Sequence, residues 1–400
     1  MAHPSPLKAE YDDRKIQTAQ YGPPDAGIEI AESFGQLELE YAAIRRRCVL
    51  LDRPDRGLIV VRGGDRIDFL NNMVTQELAT LKPGACTRSF WLNRKGRIDA
   101  DLRIMHLEDR TLFDLDALTA PAATESLASF VFAEDCTLRD ETQAFHRLEL
   151  IGPGAVELIE LASGRPAPEP DSVEEFAIDG VTITADREDS LGQPTIGLTT
   201  PAEHAAAVRD RLLELGAPAG LDRLGEADAA IEDDGSPASR IRLREAGWHA
   251  VNIARIEAGV PRMMLDFGPS NLPAETGVLD DRVSFTKGCY LGQEVVARMN
   301  ALGHPKQTLV ALRCEQRVTA GDLGDFLQPE TGSAVMPEGD AARPIGAVTS
   351  ATLSPALGRV PICFAQVKWG HHEPGTVLTV DAEGVFIRAI VQETLRSVEV

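Results

Sequence analysis

The stretch Lys287-Gly288-Cys289-Tyr290-Leu291-Gly292-Gln293-Glu294 runs directly into Val295-Val296-Ala297-Arg298. Two glycines bracket its centre and allow tight backbone geometry. The spacing predicts a helix beginning near Gly292, with its free amide groups turned back toward the loop. Such a helix start attracts anions. Lys287 adds a positive charge beside it. Together these features make Lys287 and Cys289 candidate catalytic residues, with Cys289 as a reactive thiol. The competing reading is an inert cysteine buried in a packed turn.

Three segments upstream extend the pattern. Arg255-Ile256-Glu257-Ala258-Gly259-Val260-Pro261 reads as a helix end, followed by Leu272-Pro273-Ala274-Glu275. A carboxylate there suits a flat heterocycle with adjacent N–H donors, as a pterin has. A plain helix-end salt bridge is the alternative. Asn93-Arg94-Lys95-Gly96-Arg97 reads as a hairpin connection into Ile98-Asp99-Ala100-Asp101-Leu102. Asp99 and Asp101 then share one strand face, because side chains alternate. A carboxylate on that face can bind or steer a reactive amine, or can simply be a solvated hairpin edge. Earlier still, Phe69-Leu70-Asn71-Asn72-Met73-Val74-Thr75-Gln76-Glu77 is apolar and then polar, as a helix end is.

The remaining chain supplies layers. Gly57–Gly63 is a short β-rich run, and Asp65 starts a helix carrying Ile67, Phe69, Leu70 and Met73. Strand-like segments follow at 85–92, 98–107 and 111–116, then a helix from Pro121 to about Phe132. The theme repeats loosely: a strand at 145–151, a helix to about 161, strands near 175–186 and 194–199, and a helix at 202–215. A further helix is expected over about 240–257, ended by Gly259 and Pro261. Strand–helix–strand units mixed with hairpins indicate an α+β fold and not a strictly alternating parallel sheet. From about residue 305, short β-like runs separated by Gly, Pro and Asp indicate an all-β domain.

Composition limits the functional classes. With 43% hydrophobic and 26% charged residues in 400, the chain can bury a large core and stay soluble. No apolar run approaches a membrane helix, and residues 1–30 read as a flexible polar tail without a secretory core. A net charge of −22 argues against nucleic acid or anionic membranes as partners. The six cysteines form no C-x-x-C pair and the eight histidines no H-E-x-x-H. Reduced cysteines, no metal and a cytoplasmic location are the expectations. Residues 224–240 are acidic and glycine-containing, as in an insertion or surface loop.

Taken in order, these segments resemble the family that includes the glycine-cleavage T-protein (aminomethyltransferase) and YgfZ. The series is Phe69-Leu70 with Val74-Thr75, Pro83-Gly84, the Gly96–Leu102 hairpin, Gly152-Pro153, Arg255-x-Glu257-Ala258-Gly259, Lys287–Glu294, and Gly346-x-Val348-Thr349-Ser350. It covers about residues 35 to 395. The K-G-C-Y-x-G-Q-E form looks like the YgfZ branch, since the T-protein lacks this cysteine.

The resemblance implies a ring of α/β subdomains with a C-terminal β-barrel and a central folate channel. Residues 31–304 would be the folate-binding region, as two interleaved α+β subdomains, and 305–400 the barrel. Tetrahydrofolate, or a one-carbon derivative, is the implied cofactor. Glu257 falls at the family's pterin-binding glutamate and Asp101 at the T-protein's catalytic aspartate. Arg255 and Thr75 join Glu257 and Asp101 in the implied binding set. The YgfZ branch implies support of iron–sulfur cluster enzymes, with such enzymes as partners. The retained Asp101 implies instead a tetrahydrofolate-dependent aminomethyltransferase or demethylase.

Overall fold

A computed structural model describes residues 4–217, 241–315, 326–339 and 343–398. The acidic segment singled out at 224–240 lies outside them. The chain divides into two compact units that interleave along the sequence. The first holds Met1–Arg66, Thr80–Thr87 and Arg103–Val251, and the second holds Ile67–Ala79, Arg88–Leu102 and Asn252–Val400. Two short upstream pieces, Ile67–Ala79 and Arg88–Leu102, thus share a unit with the barrel. No local pattern records such an exchange, because it is made by contacts distant in sequence.

The first unit is built on a six-stranded sheet in the order Val173–Ile178, Val181–Arg187, Thr195–Pro201, Phe145–Ile151, Cys48–Asp52 and Leu243–Glu245. Five strands are antiparallel, and only Leu243–Glu245 joins its neighbour in parallel. Helices Ala155–Ser163 and Ala205–Gly216 supply Leu158, Ile159, Val208 and Leu212 to its core. A second sheet orders Cys86–Leu92, Ile98–His106, Arg110–Asp116, Arg56–Arg62 and Thr137–Asp140, and its first two strands are divided between the units.

Two local expectations change. The described part of the expected tail 1–30, from residue 4, is ordered: Lys8–Asp13 is helical, and Gln17–Tyr21 pairs with Ile28–Ser33. Leu7 and Tyr11, four residues apart on one helix side, enter the main core at 1% and 2% exposure. The prolines and charges around them mask this pair in the sequence. Over 240–257 the chain forms the strand Leu243–Glu245 before the helix Trp248–Ala258, because three residues are too few for a readable period.

Buried charge also escapes the sequence pattern. In the first unit, Arg53 grips Asp55 through both carboxylate oxygens at 2.9 and 3.0 Å. Arg56 grips Asp114 in the same way at 2.9 Å twice. Arg147 reaches Glu149 at 3.2 Å and Asp186 at 2.8 Å. Such forks match guanidinium to carboxylate geometry. Burial alone would raise Asp114, but Arg147 and Arg56 bring it below its ordinary value. Glu149 is lowered likewise, with Arg53 and Arg147 overcoming its burial.

The second unit ends in a closed six-stranded barrel: Gln307–Cys314, Val360–Lys368, Gly346–Ser354, Ala334–Pro337, Val377–Ala382 and Val385–Val391. From Val348 onward, strand Gly346–Ser354 alternates between buried and half-buried residues. Val310, Leu312, Val348, Leu378 and Ile387 fill the inside. The α+β reading with a C-terminal all-β domain is the observed fold. Among the described residues, no helix is long and apolar enough to cross a membrane.

Candidate functional site

The candidate catalytic and binding residues all lie in the second unit. Asp101 sits in strand Ile98–His106, whose neighbours Ala100 and Leu102 are fully buried on the other face. Its own side chain is 9% exposed, and one oxygen accepts from Arg282 Nε at 3.1 Å. Arg88 stands 3.9 Å from the other oxygen. The Asp101 amide lies 3.2 Å from Met263 Sδ. Met264, in a left-handed conformation, and Leu265 follow Met263 in the chain and are exposed. Asp99 is half-buried; burial raises it, and a bond from Asn93 works against the rise. Arg282 escaped the sequence reading, since Leu279–Arg282 is a single helical turn with no motif.

Thr75 meets the Arg282 segment through its hydroxyl. It is fully buried, and its hydroxyl donates to the Arg282 carbonyl at 2.6 Å and accepts from the Phe90 amide at 2.9 Å. In the structure Thr75 ties the Arg282 segment to strand Cys86–Leu92.

Lys287 is tied into the fold in the same way. Its ammonium donates to the carbonyls of Asn71, Val74 and Gln76 at 2.6, 2.8 and 2.7 Å. These carbonyls lie at and beyond the end of helix Arg66–Met73, where the intrahelical donors run out. All three protons of the amine are used, so none is available to a reacting group or to Cys289. Burial pushes Lys287 down to about 8. The sequence showed a nearby charge but not its target, which is more than 200 residues away.

Arg255 and Glu257 are both buried. Arg255 is 2% exposed and donates to Asp266 at 2.7 Å, Ser350 at 2.6 Å and Asn252 at 2.8 Å. Asp266 also accepts from Thr349 and Ser350 at 2.8 and 2.6 Å. Glu257 is fully buried, and its carboxylate accepts from the Ser354 hydroxyl. The helix end Arg255–Glu257 is thus latched to barrel strand Gly346–Ser354. Glu257, expected at the pterin, is here enclosed by this latch.

The glycines of two motifs meet. Gly96 and Gly292 both have left-handed backbones, with φ of 69° and 82°. A Cβ on Gly292 would lie 2.8 Å from the Asn93 carbonyl, and one on Gly96 2.8 Å from Val295 Cβ. The hairpin therefore rests on the start of helix Gln293–Leu302, with Gly292 at its cap as expected. Cys289 is exposed on this loop, whereas the other five cysteines are buried. An apolar cavity of about 190 Å³ lies along the same helix, walled by Pro273, Val295, Met299 and Trp369. Asp101 is not part of it.

Residues 12–230 match the family model described as the GCVT N-terminal domain, and residues 317–395 match the glycine cleavage T-protein C-terminal barrel domain. An aminomethyltransferase of Streptomyces coelicolor is 28% identical over 372 residues, covering 91% of this chain and 88% of its own length. One of Geobacillus kaustophilus is 26% identical over 392 residues, covering 96% of each. The solved aminomethyltransferase T of the Bartonella henselae glycine cleavage system shares the fold, at TM-score 0.81 and 22% identity over 100% of this chain and 99% of that one. These names overturn the iron–sulfur expectation: the relatives are aminomethyltransferases, which favours the transferase alternative.

Proposed function

We propose, for a chain that belongs to the glycine-cleavage T-protein family, that it transfers an aminomethyl-type one-carbon unit to tetrahydrofolate at Asp101. The observation that carries this reading is a buried carboxylate held by a guanidinium. Arg282 fixes one Asp101 oxygen at 3.1 Å. A fixed carboxylate at a strand face attracts a cationic amine and orients its reacting carbon. Asp101, with Glu257 enclosed by the latch, is the acid suited to the adjacent N–H donors of a pterin. The exposed Met264 and Leu265, which follow Met263 in the chain, offer an apolar surface for a flat ring. Tetrahydrofolate supplies the ring nitrogens that accept the one-carbon unit. Asp101 can hold a proton from those nitrogens or the positive charge of the departing amine.

The Lys287–Glu294 segment supports a finer placement in the YgfZ-type branch, with Cys289 as an exposed thiol near the helix start. Two measurements test these readings. Purified protein supplied with tetrahydrofolate and an aminomethyl donor should form methylenetetrahydrofolate. Asp101→Asn should lower turnover about a hundredfold or more while keeping the thermal midpoint. Unchanged turnover in that variant refutes the role of Asp101. Alkylation with iodoacetamide, compared with a Cys289→Ser variant, tells whether the thiol takes part. Inactivation confined to the wild type would place it in the reaction, and equal inactivation of both would exclude it.

A further inference from the structure

The first unit contains a cavity of about 570 Å³ that none of the site residues above touches. Its size is that of a small-molecule site. One wall is a sheet face whose register sets the order of its side chains. Val60 pairs with Leu112 on one side and with Arg139 on the other. Leu58 lies two residues from Val60 on the same face, beside Glu141, whose amide bonds the Leu58 carbonyl at 2.8 Å. The facing wall carries Thr184 and Thr199, paired across neighbouring strands, and Phe145 closes the apolar part.

The charges in this cavity are not equivalent. Arg62 and Arg110 line it but are already occupied, both with Asp109 at 2.9 and 2.7 Å, and Arg110 also with Glu175. Arg139 and Glu141 are different. Among the described residues, neither side chain makes a hydrogen bond or ion pair, and they are not paired with each other. The Thr199 hydroxyl is likewise unengaged, although the residue is only 5% exposed. One cation, one anion and one buried hydroxyl therefore converge, unspent, on a floor of Leu58, Val60, Leu112 and Phe145.

We propose that this cavity binds a zwitterion with an apolar body, an α-amino acid with a large hydrophobic side chain. Arg139 takes the carboxylate in a fork, Glu141 takes the ammonium, and Thr199 hydrogen-bonds the carboxylate. The side chain covers the apolar floor. Arg139 lies in strand Thr137–Asp140 and Glu141, two residues further on, follows its end, so the two charges sit close together in the chain on the cavity wall. A simple anion would leave Glu141 unmatched beside it, and a simple amine would leave Arg139 so.

Calorimetric titration with L-phenylalanine, 3-phenylpropionate and 2-phenylethylamine tests the assignment. Phenylalanine should bind about tenfold or more tightly than either singly charged probe, because each lacks one charge-assisted contact. Arg139→Gln should bring phenylalanine to the level of the amine, and Glu141→Gln to that of the carboxylate. Arg139 is exposed and Glu141 is half-buried with no side-chain partner among the described residues, so the fold should tolerate the changes. Asp101→Asn should leave this binding unaltered. Absence of phenylalanine binding, equal affinity for all three probes, or indifference to both variants would overturn the proposal. Tightest binding of 3-phenylpropionate would replace the zwitterion with a plain organic anion.

Discussion

Lys287 shows how a residue can be recognised from sequence and still be misassigned. Its position beside two glycines and a cysteine suggested chemistry, yet its three donors are spent on Asn71, Val74 and Gln76. Lys287→Met keeps the length of the side chain and removes the donors. It should destabilise the protein by about 2–3 kcal/mol, since buried carbonyls lose their partners, and chemical denaturation checks it. A change below a few tenths of a kcal/mol would show that the carbonyls find water instead. Asp101 was legible for the opposite reason: strand alternation placed it, and a family resemblance gave it a role. Arg282 was not legible, because a single turn of Leu-Asp-Asp-Arg has no period to read.

At the level of elements, the two strongest motifs turn out to be joints. The Arg255–Glu257 helix end holds barrel strand Gly346–Ser354 through Ser350 and Ser354. Ser354→Ala and Glu257→Gln should each cost about 2 kcal/mol, as expected for hydrogen bonds to charged groups. Their effects should be less than additive, because both remove one contact. Full additivity in urea unfolding would contradict the latch. The hairpin and the helix start form the second joint, where Gly96 and Gly292 allow backbone contact. Gly292→Ala should cost about 1–2 kcal/mol from its left-handed backbone alone. The clash with the Asn93 carbonyl adds to that, so a variant as stable as the wild type would disprove the close approach. The sequence revealed the glycines but not their common purpose, since each is explained by the other's segment.

Across the whole molecule, an acidic chain keeps a buried set of ion pairs inside its first unit. Asp114 and Glu149 stand below their ordinary values of 3.8 and 4.5 when folded. The unfolded chain returns to those values, so below them it binds more protons than the folded protein does. Stability from these pairs is therefore complete above about pH 4.5 and is lost as the pH falls further. Asp114→Asn should lower the urea midpoint at pH 7 and also flatten its decline between pH 5 and 3. An unchanged slope would mean that other carboxylates govern acid unfolding. Composition and patterning alone determined the α+β class, the β-rich C-terminal domain and the strand face that bears Asp101. These depend on side-chain periodicity, which is written in adjacent residues. Tertiary structure alone decided the interleaving of the units and the enclosure of Glu257. It also decided the target of the Lys287 ammonium, the grip of Arg282 on Asp101, and the unspent charges of Arg139 and Glu141. Each of these depends on which distant groups are brought within hydrogen-bond range, and local sequence does not specify that distance.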